Sequence, residues 1–134
     1  MDDTARIESI LSYLDPFEAI DFSVGTWNSE EGQLPWFDFD AAVSKFTHAL
    51  YKHNWIIPFD WGEWQHEAEK YVNDPTLLET ANVETISKLF TTHVRKDRFC
   101  EGHLASMFEN GHIVALLRRL KVIHQAMDKK GSND

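Results

Sequence analysis

The sequence predicts an all-α fold: one compact multi-helix domain of about five to seven helices, ending in a tight helix-turn-helix pair. Three observations carry this. Apolar residues recur at helical spacing in stretch after stretch. Proline, glycine and Asn/Asp clusters punctuate the chain between those stretches. There are no strong strands, no internal repeats and no low-complexity segments. The 134 residues set one domain over 1–134 as the expectation, with 1–3 and 128–134 as frayed tails.

Element by element, Ile7, Ile10, Leu11 and Leu14 form the first helical stripe, with Asp2, Asp3 or Thr4 as cap. Pro16 interrupts it, and a further turn through Ala19 is open. The segment "FSVGTWNSEEGQLPWFD" reads as a loop because of Gly25, Gly32 and Pro35. Its Phe22, Trp27, Trp36 and Phe37 tie it to the core, and a short hairpin around Gly32 is a second reading. Phe39, Val43, Phe46 and Leu50 mark the next helix, with Asp38 as its cap. "IIPFD" is extended ahead of Pro58. Asp60 then caps a helix carrying Trp61, Trp64, Ala68 and Tyr71. Pro75 opens a further turn. Asn82 caps a helix with Ile86, Leu89, Phe90 and Val94 inward. Leu104, Met107 and Phe108 give a short helix stopped by Asn110-Gly111, where Gly111 takes a positive φ. Ile113, Leu116, Leu117, Leu120 and Ile123 give the last helix, followed by a solvated tail.

Charge and composition narrow the function. The net charge is −9, divided into −12 over residues 1–82 and +3 over 83–134. A field of that sign repels nucleic acid, so any such role belongs to the last third. No apolar run reaches the roughly 20 residues of a membrane helix, and the acidic start lacks the pattern of a signal peptide. Cys100 is the single cysteine, so no internal disulfide forms, and a cytoplasmic location is expected.

Three constellations bear on function. The final helix pair has the outline of a DNA-reading helix-turn-helix. The residues that would meet bases, His112, Ile113, Val114 and Ala115, are mostly apolar, and only Arg118, Arg119 and Lys121 could touch phosphates. Nucleic acid is therefore not the expected partner. Glu63/His66 and Glu109/His112 share the Glu-x-x-His spacing of di-iron bundles, but Gly111 breaks the second pair, and no metal or cofactor is expected. Arg95, Arg98, Glu101 and His103 are the catalytic candidates: an imidazole and a carboxylate can exchange protons and Arg can hold an anion. No nucleophile motif accompanies them, so capping by Asp97 or Glu101 and packing by His103 is the favoured reading. Arg98 is expected to pair with an acid, Phe99 to be buried, and Cys100 to act as a small buried hydrophobe.

The stretch "FTTHVRKDRFCEGHLASMFENGHIVALLRRL" resembles the signature of a bacterial domain-of-unknown-function family: Arg95, Arg98, Phe99, Glu101 and Gly102, then Phe108, Glu109 and Gly111, then Leu116, Leu117, Arg119 and Leu120. Upstream, "NWIIPFDW" and "DPTLL" extend the likeness, with Asn54 where the family pattern has Gly. The resemblance implies a helical, cytoplasmic protein of bacterial or phage origin and assigns no activity. The leading expectation is a non-enzymatic interaction or regulatory module binding a protein partner or a second copy. The alternatives are an enzyme of unassigned class built on Arg98, Glu101 and His103, and a DNA-associated module using the last helix.

Overall fold

The computed structural model describes residues 3–132, with side chains through 128. Among these residues the architecture is helical as expected: seven α-helices, one 3-10 segment and a two-stranded hairpin. No helix among them is long and apolar enough to cross a membrane.

Helix α1 (Thr4–Leu11) buries Ile7 and Ile10. The helical pattern breaks at Ser12 and Tyr13, ahead of Pro16, and α2 (Leu14–Glu18) supplies the further turn with Pro16 in its first turn. Proline is tolerated in a first turn, where its missing N–H has no helical acceptor to lose. Strands β1 (Gly25–Asn28) and β2 (Trp36–Phe39) pair antiparallel from Gly25 opposite Phe39 to Asn28 opposite Trp36. The hairpin takes residues that helical spacing assigned to the next helix. Alternation wins there: Phe37 points inward and Asp38 outward, where Asp38 accepts from the Asn28 amide. The cap of α3 (Ala41–Lys52) is consequently Asp40, whose carboxylate accepts from the Ala42 N–H at 3.0 Å, and not Asp38.

Asn54, standing where the resembled pattern has Gly, has φ +63°. Its carbonyl accepts from the Arg6 guanidinium at 2.8 Å. Asn is among the few non-glycine residues that enter the left-handed region readily. Trp55 follows, fully buried, its Nε1 donating to the Arg6 carbonyl at 3.1 Å. The extended segment is then strapped to α5 by Ile57 N–H donating to Thr91 Oγ1 at 3.0 Å.

Asp60 caps α4 (Trp61–Asn73) through the Glu63 N–H. Asp74 does the same for the 3-10 segment Pro75–Thr80, and Asn82 for α5 (Val83–Lys96). Helix α5 is the centre of the fold: Ile86, Leu89 and Phe90 are fully buried, and so are Ser87, Thr91, Thr92 and His93. The Thr hydroxyls are accommodated by donating back to helix carbonyls, Thr91 to Ser87 and Thr92 to Lys88, each at 2.8 Å. Edge-on aromatic contacts link Phe17, Phe46, Phe90 and Phe108 across four helices.

Gly111, at φ +84°, separates α6 (His103–Glu109) from α7 (His112–Ser132), as expected. The Asn110 side chain accepts from the His112 N–H at 2.9 Å and so opens the second helix. Helix α7 buries Ile113, Leu116, Leu117 and Leu120 and packs on α1 and α6. It continues through 128–132, which the sequence reading had placed in a tail. Residues 1, 2, 133 and 134 of the expected tails lie outside the described residues.

Candidate functional site at the α5 to α6 junction

The dense stretch 93–112 closes on itself around the turn 97–102. The Phe99 and Cys100 N–H groups both donate to the Lys96 carbonyl at 2.9 Å, and the His103 N–H donates to the Cys100 carbonyl at 3.0 Å. Asp97 reaches forward and accepts from the Leu104 N–H at 2.9 Å, capping α6 from the preceding turn. Burial pushes its carboxyl above the ordinary value; the Leu104 N–H opposes this, and the nearby Glu101 charge adds to it. The expected capping role thus falls to Asp97.

Glu101 does something else. Its carboxylate accepts from the Phe37 N–H at 2.9 Å, fastening the hairpin to the turn. The neighbouring Gly102 has φ +89°, and a Cβ there would stand 2.4 Å from the Trp27 ring. Glu101 and Gly102 together therefore dock β1 and β2, one by a charge-assisted hydrogen bond and one by leaving room for an indole. Gly102→Ala is expected to cost about 2 kcal/mol or more, through a strained φ and a displaced ring. In urea denaturation, adding Trp27→Ala should recover part of that loss. Strictly additive effects would show that the indole is not what Gly102 accommodates.

Three helices contribute a histidine to one cluster. His93 of α5 is 2% exposed, and its Nδ1 lies 3.0 Å from Nε2 of His103 on α6. His112, the first residue of α7, is buried with its ring edge-on to His93 at 4.9 Å between centroids. Burial holds all three imidazoles below their ordinary value, His93 well below and His112 down to about 4. Mutual repulsion and, for His93 and His103, the Lys96 charge add to this. At neutral pH the cluster is uncharged, and within the His93–His103 pair one ring donates while the other accepts. Nε2 of His93 and Nε2 of His112 have no hydrogen-bond partner among the described residues.

Of the four catalytic candidates, Glu101 and His103 line one cavity of about 340 Å³, beside Lys96 and Cys100. Arg95 and Arg98 lie outside it: Arg95 is half-buried on α5, and Arg98 is exposed, its Nη2 3.4 Å from the Tyr51 hydroxyl instead of on an acid. Phe99 is not buried. It is 77% exposed and stacked on Trp61 at 5.9 Å. Cys100 is likewise exposed. The turn is too tight to fold both side chains under itself, and Gly102 and Leu104 take the inward positions.

His93 is not among the site residues that the sequence points to, and His112 enters there as half of a Glu109 pair and as the first of the base-facing residues. Nothing in the spacing announces them: they come from three helices, and only packing brings the rings together. Glu109 remains exposed while His112 is buried. Among the described residues, no group of three or more His, Cys, Asp and Glu side chains is arranged to hold a metal ion.

A family of unknown function (DUF6508) matches residues 3–126. No curated protein and no solved structure matches the chain.

Proposed function

Because the chain belongs to that family, whose description assigns no activity, we propose from the site itself that it is a non-enzymatic protein-interaction module. In this reading it is cytoplasmic, of bacterial or phage origin, and engages a protein partner through the aromatic face beside the α5–α6 turn. Phe99 carries the reading. Full burial of such a side chain stabilises a fold by about 1.5–3 kcal/mol, yet the turn leaves this ring in water. Stacking on Trp61 fixes it in place, so little freedom would be lost on binding. Arg98 and the 38%-exposed Tyr51 stand together nearby. Trp, Tyr and Arg are the side chains that most often anchor protein interfaces.

The last helix lends little to a nucleic-acid reading. Its first residues, His112 and Ile113, are buried, Arg118 pairs with Glu18, and Arg119 Nε donates to the Ala81 carbonyl at 2.9 Å. The enzyme reading needed Arg95 and Arg98 beside Glu101 and His103, and its two arginines lie outside the shared cavity.

A photo-crosslinking phenylalanine analogue at position 99, expressed in the native host, tests the proposal against the same analogue at Ile20, which is fully exposed. Discrete adducts are expected at position 99, reduced by Trp61→Ala and absent at position 20. An adduct of twice the chain mass with purified protein alone would identify a second copy as the occupant. Equal, diffuse labelling at both positions would overturn the assignment.

A further inference from the structure

A second feature at the junction is a groove of about 240 Å³ between α4, α5 and α6. Gln65, Glu69 and Asn73 line it from α4, Lys96 and His93 from α5, and His103 from α6. Neither Phe99, Trp61 nor Arg98 takes part.

Two properties of this groove ask for a ligand. Glu69 and Lys96 carry opposite charges into the same small space, yet neither forms a salt bridge with the other or with any described residue. Charges of opposite sign that line one space without joining leave both available to a third party. The second property is the His93–His103 pair, which lines the groove with its rings joined at 3.0 Å between His93 Nδ1 and His103 Nε2. Of the remaining walls, Ala68, Val72 and Met107 are apolar, and Gln65 and Asn73 offer amides.

We propose that this groove binds a small zwitterion of the free amino-acid class. The ligand carboxylate meets the Lys96 ammonium, and the ligand ammonium meets the Glu69 carboxylate. The uncharged His93–His103 pair supplies a polar partner without adding a net charge that would favour one end of the ligand. A plain carboxylate or a plain amine would satisfy one wall and leave the other charge unmatched. The volume is below the range of about 300–1,000 Å³ typical of pockets for drug-sized molecules, and it suits a molecule of amino-acid size.

The test uses the full chain labelled with ¹⁵N-histidine and follows the His93 and His103 ring resonances while individual neutral-side-chain L-amino acids are added to millimolar concentration. At least one is expected to shift both rings saturably. Its N-acetyl and α-carboxamide derivatives, each lacking one charge, are expected to bind about tenfold more weakly, a factor equivalent to about 1.4 kcal/mol. Lys96→Met and Glu69→Gln should weaken binding to a similar degree with an unchanged melting temperature. Phe99→Ala should leave the titration intact, which separates this site from the interaction face. Ring resonances unmoved by every amino acid would overturn the proposal. So would an N-acetyl derivative that binds as well as its parent, which would mark the groove as an anion site.

Discussion

Trp55→Ala is expected to remove about 3–5 kcal/mol of stability, a large part of what a domain of this size possesses. Trp55 is fully buried, lies edge-on to Phe90 at 5.9 Å, and donates from Nε1 to the Arg6 carbonyl. The Arg6 guanidinium lies 4.3 Å from the ring centroid, and its Nε is buried without a hydrogen-bond acceptor. The indole face shares that cation with Asp3, the Asn54 carbonyl and Ser87, and truncation removes both the packing and the π surface. Should the alanine variant fail to fold, Trp55→Phe keeps much of the volume and loses the Nε1 bond, with an expected cost of about 1–2 kcal/mol. The midpoint of urea denaturation reads both. An alanine variant within about 1 kcal/mol of the parent would mean that α1, α3 and α5 close over the vacated space.

Acid should unfold this protein in the window set by its histidines. An unfolded His titrates near its ordinary value of 6.5, whereas the folded His112 does so at about 4, and His93 and His103 are also lowered. As pH falls below about 6.5, the unfolded chain takes up protons that the folded chain refuses, so stability falls. For His112 the loss levels off once the folded ring also protonates, near pH 4, after a total of about 3 kcal/mol. Asp97 acts in the opposite sense: its raised carboxyl is protonated earlier in the folded state, which restores some stability as pH falls toward 3.8. His93 and His112 refusing protons together make the slope below pH 6.5 steep, about 1.4 kcal/mol per pH unit for each proton, and the lowered His103 acts in the same direction. His112→Phe keeps a ring of similar size against His93 and removes one titrating group. Stability measured by denaturant at successive pH values should then show a slope shallower by about one proton between pH 6.5 and 4.5. A parent chain equally stable at pH 7 and 4.5 would contradict the buried, neutral state of the cluster.

How much of this was legible in the chain follows from the range of the forces involved. Helix existence is local, and apolar spacing with Asp60, Asn82 and Gly111 marked α4, α5 and the α6–α7 break where the structure has them. The left-handed backbone at Asn54 is one that this residue type tolerates, but the sequence alone does not announce it. Boundaries slipped where two periods overlapped. Phe39 fits a helical stripe with Val43 and Phe46, but it also fits the alternation of Trp36–Phe39, and strand pairing with Gly25–Asn28 decided the matter. The tie from Phe37 to Glu101 joins residues 64 apart in the chain, and no local pattern carries it.

The candidate site divides in the same way. The sequence by itself determined that charged residues crowd the join between two helices at 95–103, and that Gly111 stands where backbone freedom is needed; the left-handed Gly102 came from the structure. Only the tertiary structure decided which side chains face inward. Phe99 is as apolar as Phe90, yet the turn puts one in water against Trp61 and the fold puts the other at the centre of α5. His93, His103 and His112 have no common spacing, and become a neutral cluster because α5, α6 and α7 pack their rings together away from water. Hydrophobic periodicity determines that a residue is in a helix and on which stripe; the partner, the dielectric and hence the protonation state are properties of the neighbours the packed chain supplies.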